Sequence, residues 1–225
     1  MRILALETSG QAGSIAAADG PRLIAAQALD PEQRSARSLA PGIRRLLTTI
    51  GWKMTDIELV AVTVGPGSFT GLRVGVATAK TLAYALSARC VGVSTLEVIA
   101  AQCGSDASRL SVAMDAQRGQ VFAARFEHIE GGWQMIDRPS VLEISPWLQS
   151  LDLPITVSGP ALVKLASQIP AGVTMTATDD WRPRAATVAE LAWRRHLAGA
   201  YDDVWKLTPL YLRKSAAEEK LEFKL

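Results

Sequence analysis

The chain has 225 residues, nearly half of them hydrophobic, which is enough to bury one large core or two smaller ones. Its 24 Lys and Arg against 22 Asp and Glu leave a formal charge of +2, too even a balance to predict a nucleic-acid or membrane surface from electrostatics alone. No segment has the apolar length of a membrane span, and the opening MRILALETSG turns polar at Glu7 with no leader-like run behind it. Cys90 and Cys103 lack metal-site spacing, so both read as reduced thiols of a cytoplasmic protein.

RILALETS, SIAAAD and RLIAAQAL are apolar runs joined by the turns GQAG and DGP, which predicts an antiparallel meander with its first strand central. After the polar DPEQRSARS, residues Leu39, Ile43, Leu46, Leu47 and Ile50 recur at helical spacing, and Pro41 predicts a kink or a late start for that helix. ELVAVTVGPGS predicts a buried strand entering a glycine-rich loop. TGLRVGVATAKTLAYALSA then reads as a helix, RCVGVS as a strand and TLEVIAAQC as a helix.

From about residue 109 the order begins again. RLSVAMDAQ, QVFAARFEHI and WQMIDRPSVLEI read as three strands and SPWLQSL as a short helix. LPITVSG, ALVKLASQI, GVTMTA and TVAELAWRRHLAG follow as strand, helix, strand and helix. Two βββαβαβα units in succession predict an α/β protein of the duplicated actin-like architecture, the ASKHA or ribonuclease H-like fold. Residues 1–107 and 108–205 would be its subdomains and 206–225 a C-terminal segment with a fraying charged tail.

The loop GPGSFTGLRVG at residues 65–75 is neither a phosphate cradle nor a dinucleotide fingerprint. Gly67 is followed four residues on by Gly71, then by Leu72 and Arg73, so the spacing and the lysine of a Walker loop are both missing. Gly65 and Gly67 are not followed by glycine three residues on. Instead Pro66 fixes a turn, Gly65 and Gly67 permit unusual backbone angles, and Ser68 or Thr70 can cap the next helix. In that helix Gly71, Gly75, Ala79, Ala83 and Ser87 fall every fourth residue. Glycine costs a helix about 1 kcal/mol relative to alanine, so such a ridge implies that something lies close, either the chain's own sheet or another helix.

GPGSFTGLRVG, the opening RILALETS, AMDAQRGQVFAARF at 113–126 and PLYLRK at 209–214 together resemble the TsaB (YeaZ) family over nearly the whole chain. The resemblance implies a non-catalytic, scaffolding subunit of the bacterial machinery that makes N6-threonylcarbamoyladenosine at position 37 of tRNAs reading codons that begin with A. It implies pairing with the metal-bearing paralogue TsaD, with the ATPase TsaE completing the set, homodimers when alone, and tRNA contact only through the complex. It also implies that the first two helices meet their counterparts in the partner. On this sequence that assigns Leu39, Ile43, Leu46, Gly71, Arg73, Gly75, Ala79, Leu82 and Ala83 to partner binding.

The residues themselves argue against an independent active site. The catalytic paralogue is expected to hold its metal through a histidine pair, whereas this chain has only His128 and His196, and EQRSARSLAP offers no ligand. Neither histidine lies beside a recognisable nucleophile motif. In kinases of the fold each half's first hairpin supplies an acid near magnesium and phosphate; the matching residues are Glu7, Thr8 and Asp115. Glu7 replaces the usual Asp, and the adenosine-binding turn is reduced to SGPALV at 158–163. These turns read as structural, with no cofactor of the chain's own and ATP or ADP binding weak or confined to the complex. The alternative is an independent small-molecule kinase or peptidase. Five of six tryptophans, Trp133, Trp147, Trp181, Trp193 and Trp205, fall in the second half and read as packing residues; Arg182, Arg184, Arg194 and Arg195 read as a solvated face.

Overall fold

The computed structural model describes residues 1–10, 12–30, 35–104 and 106–213; most of the charged tail expected to fray lies outside them. The first half is a five-stranded sheet in which β1 (Arg2–Glu7) is central. β2 (Ser14–Asp19) and β3 (Arg22–Ala28) extend it antiparallel on one side, β4 (Leu59–Gly65) and β5 (Arg89–Ser94) parallel on the other. Parallel neighbours need crossovers, which α1 (Ser35–Thr49) and α2 (Phe69–Leu86) provide. α1 continues through Pro41, so the helix starts before the proline rather than after it.

Because the sheet is covered on both faces, its central strands are apolar without alternation. Leu4 and Leu6 of β1 point to α1 and α2 with Val60 and Val62, while Ile3 and Ala5 point to the opposite face with Leu59 and Ala61.

That opposite face is closed by the last helix among the described residues. α6 (Ala185–Leu197) presents Val188, Ala189, Leu191 and Ala192 to Ile3, Ala5, Ala16 and Ala18. α3 (Thr95–Gln102) splits its side chains between the halves: Val98 packs with the first sheet, Leu96, Ile99 and Ala100 with the second. α6, which belongs to the second half by sequence, thus packs in the core of the first sheet.

The second sheet has the order β11-β10-β6-β7-β8, formed by β6 (Arg109–Gln117), β7 (Gln120–Ile129), β8 (Gly132–Met135), β10 (Thr156–Ser158) and the short β11 (Thr174–Met175), with β9 (Ser140–Glu143) also paired to β7. The single strand expected over WQMIDRPSVLEI is thus two. Pro139 supplies no N–H for a continuous ladder, and Arg125 on β7 pairs with Asp137 at the break. α4 (Ile144–Gln149) follows as expected, but ALVKLASQI shrinks to the single turn α5 (Leu162–Leu165) and a 3-10 turn. Trp147 is fully buried and its indole N–H donates to Ser111 Oγ at 3.1 Å; Trp133 and Trp181 donate to the carbonyls of Cys103 and Thr176.

The cross-packing of α6 has a measurable consequence. Ala189→Asp buries an unpaired carboxylate against the first sheet and is expected to destabilise the protein by at least about 3 kcal/mol. In native-state hydrogen exchange, protection is expected to fall first in β1 and β2, not in β6 and β7; the reverse order would show that α6 does not support the first sheet.

Candidate functional site

The glycine loop lies where β4 ends beside the end of β1, and its job there is visible in its contacts. Ser68 caps α2: its Oγ accepts from the Gly71 N–H at 3.2 Å, and its own N–H donates to Ser9 O at 2.7 Å. Of the two expected caps, Ser68 acts and Thr70 lies exposed in the first turn. Gly67 has φ +155°, and a Cβ there would stand 2.5 Å from Ser9 O. Gly65 is held as closely by the C-terminal segment, 2.9 Å from Leu210 O to the same imagined atom. Pro66 is buried between them.

The small ridge of α2 faces inward. A Cβ on Gly71 would meet Thr8 O at 2.1 Å and one on Gly75 would meet Thr8 Oγ1 at 2.1 Å. Ala79 and Ala83 are buried in the same core. The glycines let the helix lie directly on the end of β1. Gly71, Gly75, Ala79 and Ala83, expected to meet a partner, are thus packed against this chain's own residues. Leu39, Ile43 and Leu46 of α1 are likewise core residues, 2%, 2% and 3% exposed. Of the residues expected to meet a partner, Arg73 is exposed and Leu82 half-buried.

The outer surface belongs to different side chains. α2 exposes Ala77, Thr81, Tyr84 and Ala85, and α1, packed alongside it, exposes Ala40, Pro41, Arg44, Arg45, Thr48 and Thr49. Ala77, Thr81 and Ala85 are also spaced by four, so the sequence held two small stripes on α2.

The PLYLRK segment is part of the same neighbourhood. The Leu210 N–H donates to Val64 O at 2.7 Å, the Tyr211 ring packs 4.7 Å from that of Phe69, and Arg73 Nε donates to the Tyr211 hydroxyl at 3.0 Å. Lys80 Nζ donates to the carbonyls of Trp205 and Leu207. Arg213 then reaches the second half, donating to Ala116 O at 3.1 Å. The segment straps α2 and β4 to the turn after β6.

The candidate nucleotide residues are engaged within their own turns. Glu7 is fully buried, its Oε1 accepting from the Ser9 N–H at 2.7 Å and from the Ser9 hydroxyl at 2.5 Å, and burial pushes its carboxyl up to about 7. Thr8 lies beneath α2. Asp115, partly exposed, is ion-paired with Lys164 at 2.6 Å and accepts from the Gln117 N–H; against the opposing pull of partial burial, these bonds hold its carboxyl below the usual range. The SGPALV turn is pressed onto β6, with a Cβ on Gly159 falling 2.2 Å from Ala113 O. His128 packs edge-on to Trp133, and His196 Nδ1 is hydrogen-bonded with the Tyr201 hydroxyl. Among the described residues no three His, Cys, Asp or Glu side chains are grouped to hold a metal, and no helix is long and apolar enough to cross a membrane.

Comparison with known proteins gives this arrangement a family. Residues 30–221 match the family model described as TsaD: tRNA N6-adenosine threonylcarbamoyltransferase. The chain is 31% identical to the tRNA threonylcarbamoyladenosine biosynthesis protein TsaB of Escherichia coli, with 98% of each chain covered. The chain belongs to the TsaB (YeaZ) family. It is also 30% identical to the TsaB of Bacillus subtilis, covering 98% of this chain and 97% of that one. YeaZ from Pseudomonas aeruginosa superposes with a TM-score of 0.80 at 25% identity, covering 94% and 99% of the two chains. The activator of the 2-hydroxyisocaproyl-CoA dehydratase from Clostridium difficile, at 10% identity and a TM-score of 0.51, shares the fold. Membership carries a role in threonylcarbamoyladenosine biosynthesis, and the duplicated actin-like fold is the one expected.

Two predictions test the contacts under the loop. Gly71→Ala and Gly75→Ala should each gain about 1 kcal/mol of helix propensity and lose more to overlap, for a net destabilisation of about 1–3 kcal/mol in denaturant unfolding. Thr8→Ala should rescue Gly75→Ala, whose obstacle is a side chain, and should not rescue Gly71→Ala, whose obstacle is a backbone oxygen; equal rescue of both would contradict the geometry. Glu7 sets a pH dependence. Its carboxyl binds a proton more tightly folded than unfolded, so its burial costs nothing below the ordinary value of 4.5, costs progressively more as pH rises, and reaches its full penalty, about 3 kcal/mol, above about 7. Glu7→Gln should flatten that fall in stability between pH 5 and pH 8, and parallel pH profiles for the two proteins would rule it out.

Proposed function

We propose that this chain is a non-catalytic scaffold and activator that binds TsaD and is required for transfer of the threonylcarbamoyl group to N6 of adenosine 37 in tRNA. The observation that carries the reading is the division of α1 and α2 into two faces. Their inner faces are consumed by the core and by the end of β1, while their outer faces form one shallow surface of Ala40, Pro41, Ala77, Thr81 and Ala85. Small side chains let helices of a partner pack at short distance. The groups that would do chemistry are occupied elsewhere, Glu7 by Ser9 and Asp115 by Lys164.

In this reading the chain contributes binding energy that favours the competent arrangement of its partner. ATP or ADP is handled by the complex with TsaE, not by a cofactor site of this chain, and tRNA is met through the assembly in the cytoplasm. The test is nucleoside analysis of unmodified tRNA incubated with threonylcarbamoyl adenylate and TsaD, with the chain present, absent or alone. Modification should require both proteins, and modification by this chain alone would overturn the reading. Ala77→Arg with Thr81→Trp should leave the stability of the free chain within about 0.5 kcal/mol, since both positions are exposed. The same pair should weaken TsaD binding more than tenfold by calorimetry, as expected when bulk enters a packed interface centre.

A further inference from the structure

Asp115 and Gly159 stand where β6 and β10 finish, whereas a cavity of about 580 Å³ opens at the other end of the second sheet, where β6, β10 and β11 begin. Its walls are the loop entering β6, the starts of β10 and β11, and the 3-10 turn Thr178–Asp180. Those walls are fastened from behind. The Gln102 side chain, at the end of α3, donates to the carbonyls of Asp180 and Arg182 at 3.2 and 2.8 Å and accepts from the Arg184 N–H at 2.9 Å. The Trp181 indole N–H donates to Thr176 O, and the Thr176 hydroxyl donates to that of fully buried Ser158 at 2.8 Å. A cavity held in this way is formed before a ligand arrives, and its size falls in the range of small-molecule sites.

The lining carries opposite charges that do not neutralise each other. Asp106, Arg109 and Asp180 all line the cavity, yet among the described residues no ion pair joins Arg109 to either acid, and Asp180 has only Arg184, at 3.5 Å. Thr156 and Thr174, side by side in the register of β10 and β11, line it as well, and neither hydroxyl has a hydrogen bond among the described residues. Ile155 and Met175 supply apolar contact. We infer that this cavity is a binding site for a small zwitterion, a free α-amino acid, whose carboxylate is taken by Arg109 and whose ammonium is taken by Asp106 and Asp180. A polyamine would set cation against Arg109, and a phosphate would face two acids. A molecule with both charges satisfies both sides, and the threonine hydroxyls are left to bond its side chain. The site lies in the second half, away from α1 and α2, so the inference does not depend on the scaffold reading.

The test is a thermal-shift screen of the intact chain against the common free amino acids, followed by calorimetry. At least one should bind with a Kd below about 1 mM, the weak end of specific small-ligand affinities. Its N-acetyl derivative and its amide, each lacking one of the two charges, should bind at least about tenfold more weakly, the cost of one charged hydrogen bond. Arg109→Gln should impose a similar loss, as should Asp106→Asn with Asp180→Asn. Asp106 is exposed, so Asp106→Asn alone tests the site without disturbing the fold. The inference is overturned if no amino acid binds, if the blocked derivatives bind as well as the free one, or if Asp106→Asn and Arg109→Gln leave binding unchanged. Preferential binding of spermidine or of adenosine monophosphate, the cationic and anionic controls, would overturn it too.

Discussion

A helix resting directly on the end of a central strand is the contact from which the rest of this structure follows. Thr8 and Ser9 leave β1 underneath Gly67, Gly71 and Gly75, at separations that no side chain on those glycines would permit. That approach fixes the height of α2 above the sheet, and with it the depth of the core formed by Leu4, Leu6, Val60 and Val62 beneath both helices. It also explains Glu7. A carboxyl at the end of β1 has nowhere to go but inward, and it survives there by accepting two bonds from Ser9, whose own carbonyl receives the Ser68 N–H at the start of α2. Loop, strand end and helix cap form one connected unit, and a buried acid is part of the cost of building it.

The two halves are held together by exchange. α6 leaves the second sheet to close the first, α3 divides its side chains between both, and the segment ending at Arg213 ties the β4 end to the β6 turn. Each half alone would leave one face of a sheet bare. The positions of α1 and α2 are therefore set by contacts from the whole chain.

Much of this was legible in the sequence, because it depends on local pattern. The strand and helix order of the first half, its antiparallel meander with a central first strand, and the duplication all follow from the period of the apolar residues and the placement of turns. What failed was direction. A stripe of glycine and alanine says that something comes close, without saying what, and at Gly71 and Gly75 the neighbour is Thr8 of the same chain. The outward stripe through Ala77, Thr81 and Ala85 has the same spacing but no glycine, so it carried a weaker signal although it is the exposed one. The helix-spaced Leu39, Ile43 and Leu46 are core residues because an apolar stripe on an amphipathic helix is first of all its buried face. The break of one expected strand into β8 and β9 has a local mark in Pro139, and the Arg125–Asp137 pair at that break is a tertiary contact that no local pattern contains.

The same logic bears on the turns that carry Glu7 and Asp115. A turn at the end of a strand is needed whether or not a phosphate lies over it, and in both halves a glycine after a parallel strand is pressed onto the neighbouring strand's end, Gly67 on Ser9 and Gly159 on Ala113. Those contacts preserve the turns as structure. Of the two acids at these turns, Glu7 is buried beneath the loop and bonded to Ser9, while Asp115 stays at the surface in an ion pair with Lys164. Once the turns serve packing, selection on the chain acts on what the packed elements present, which on α1 and α2 is a shallow, basic surface of small residues.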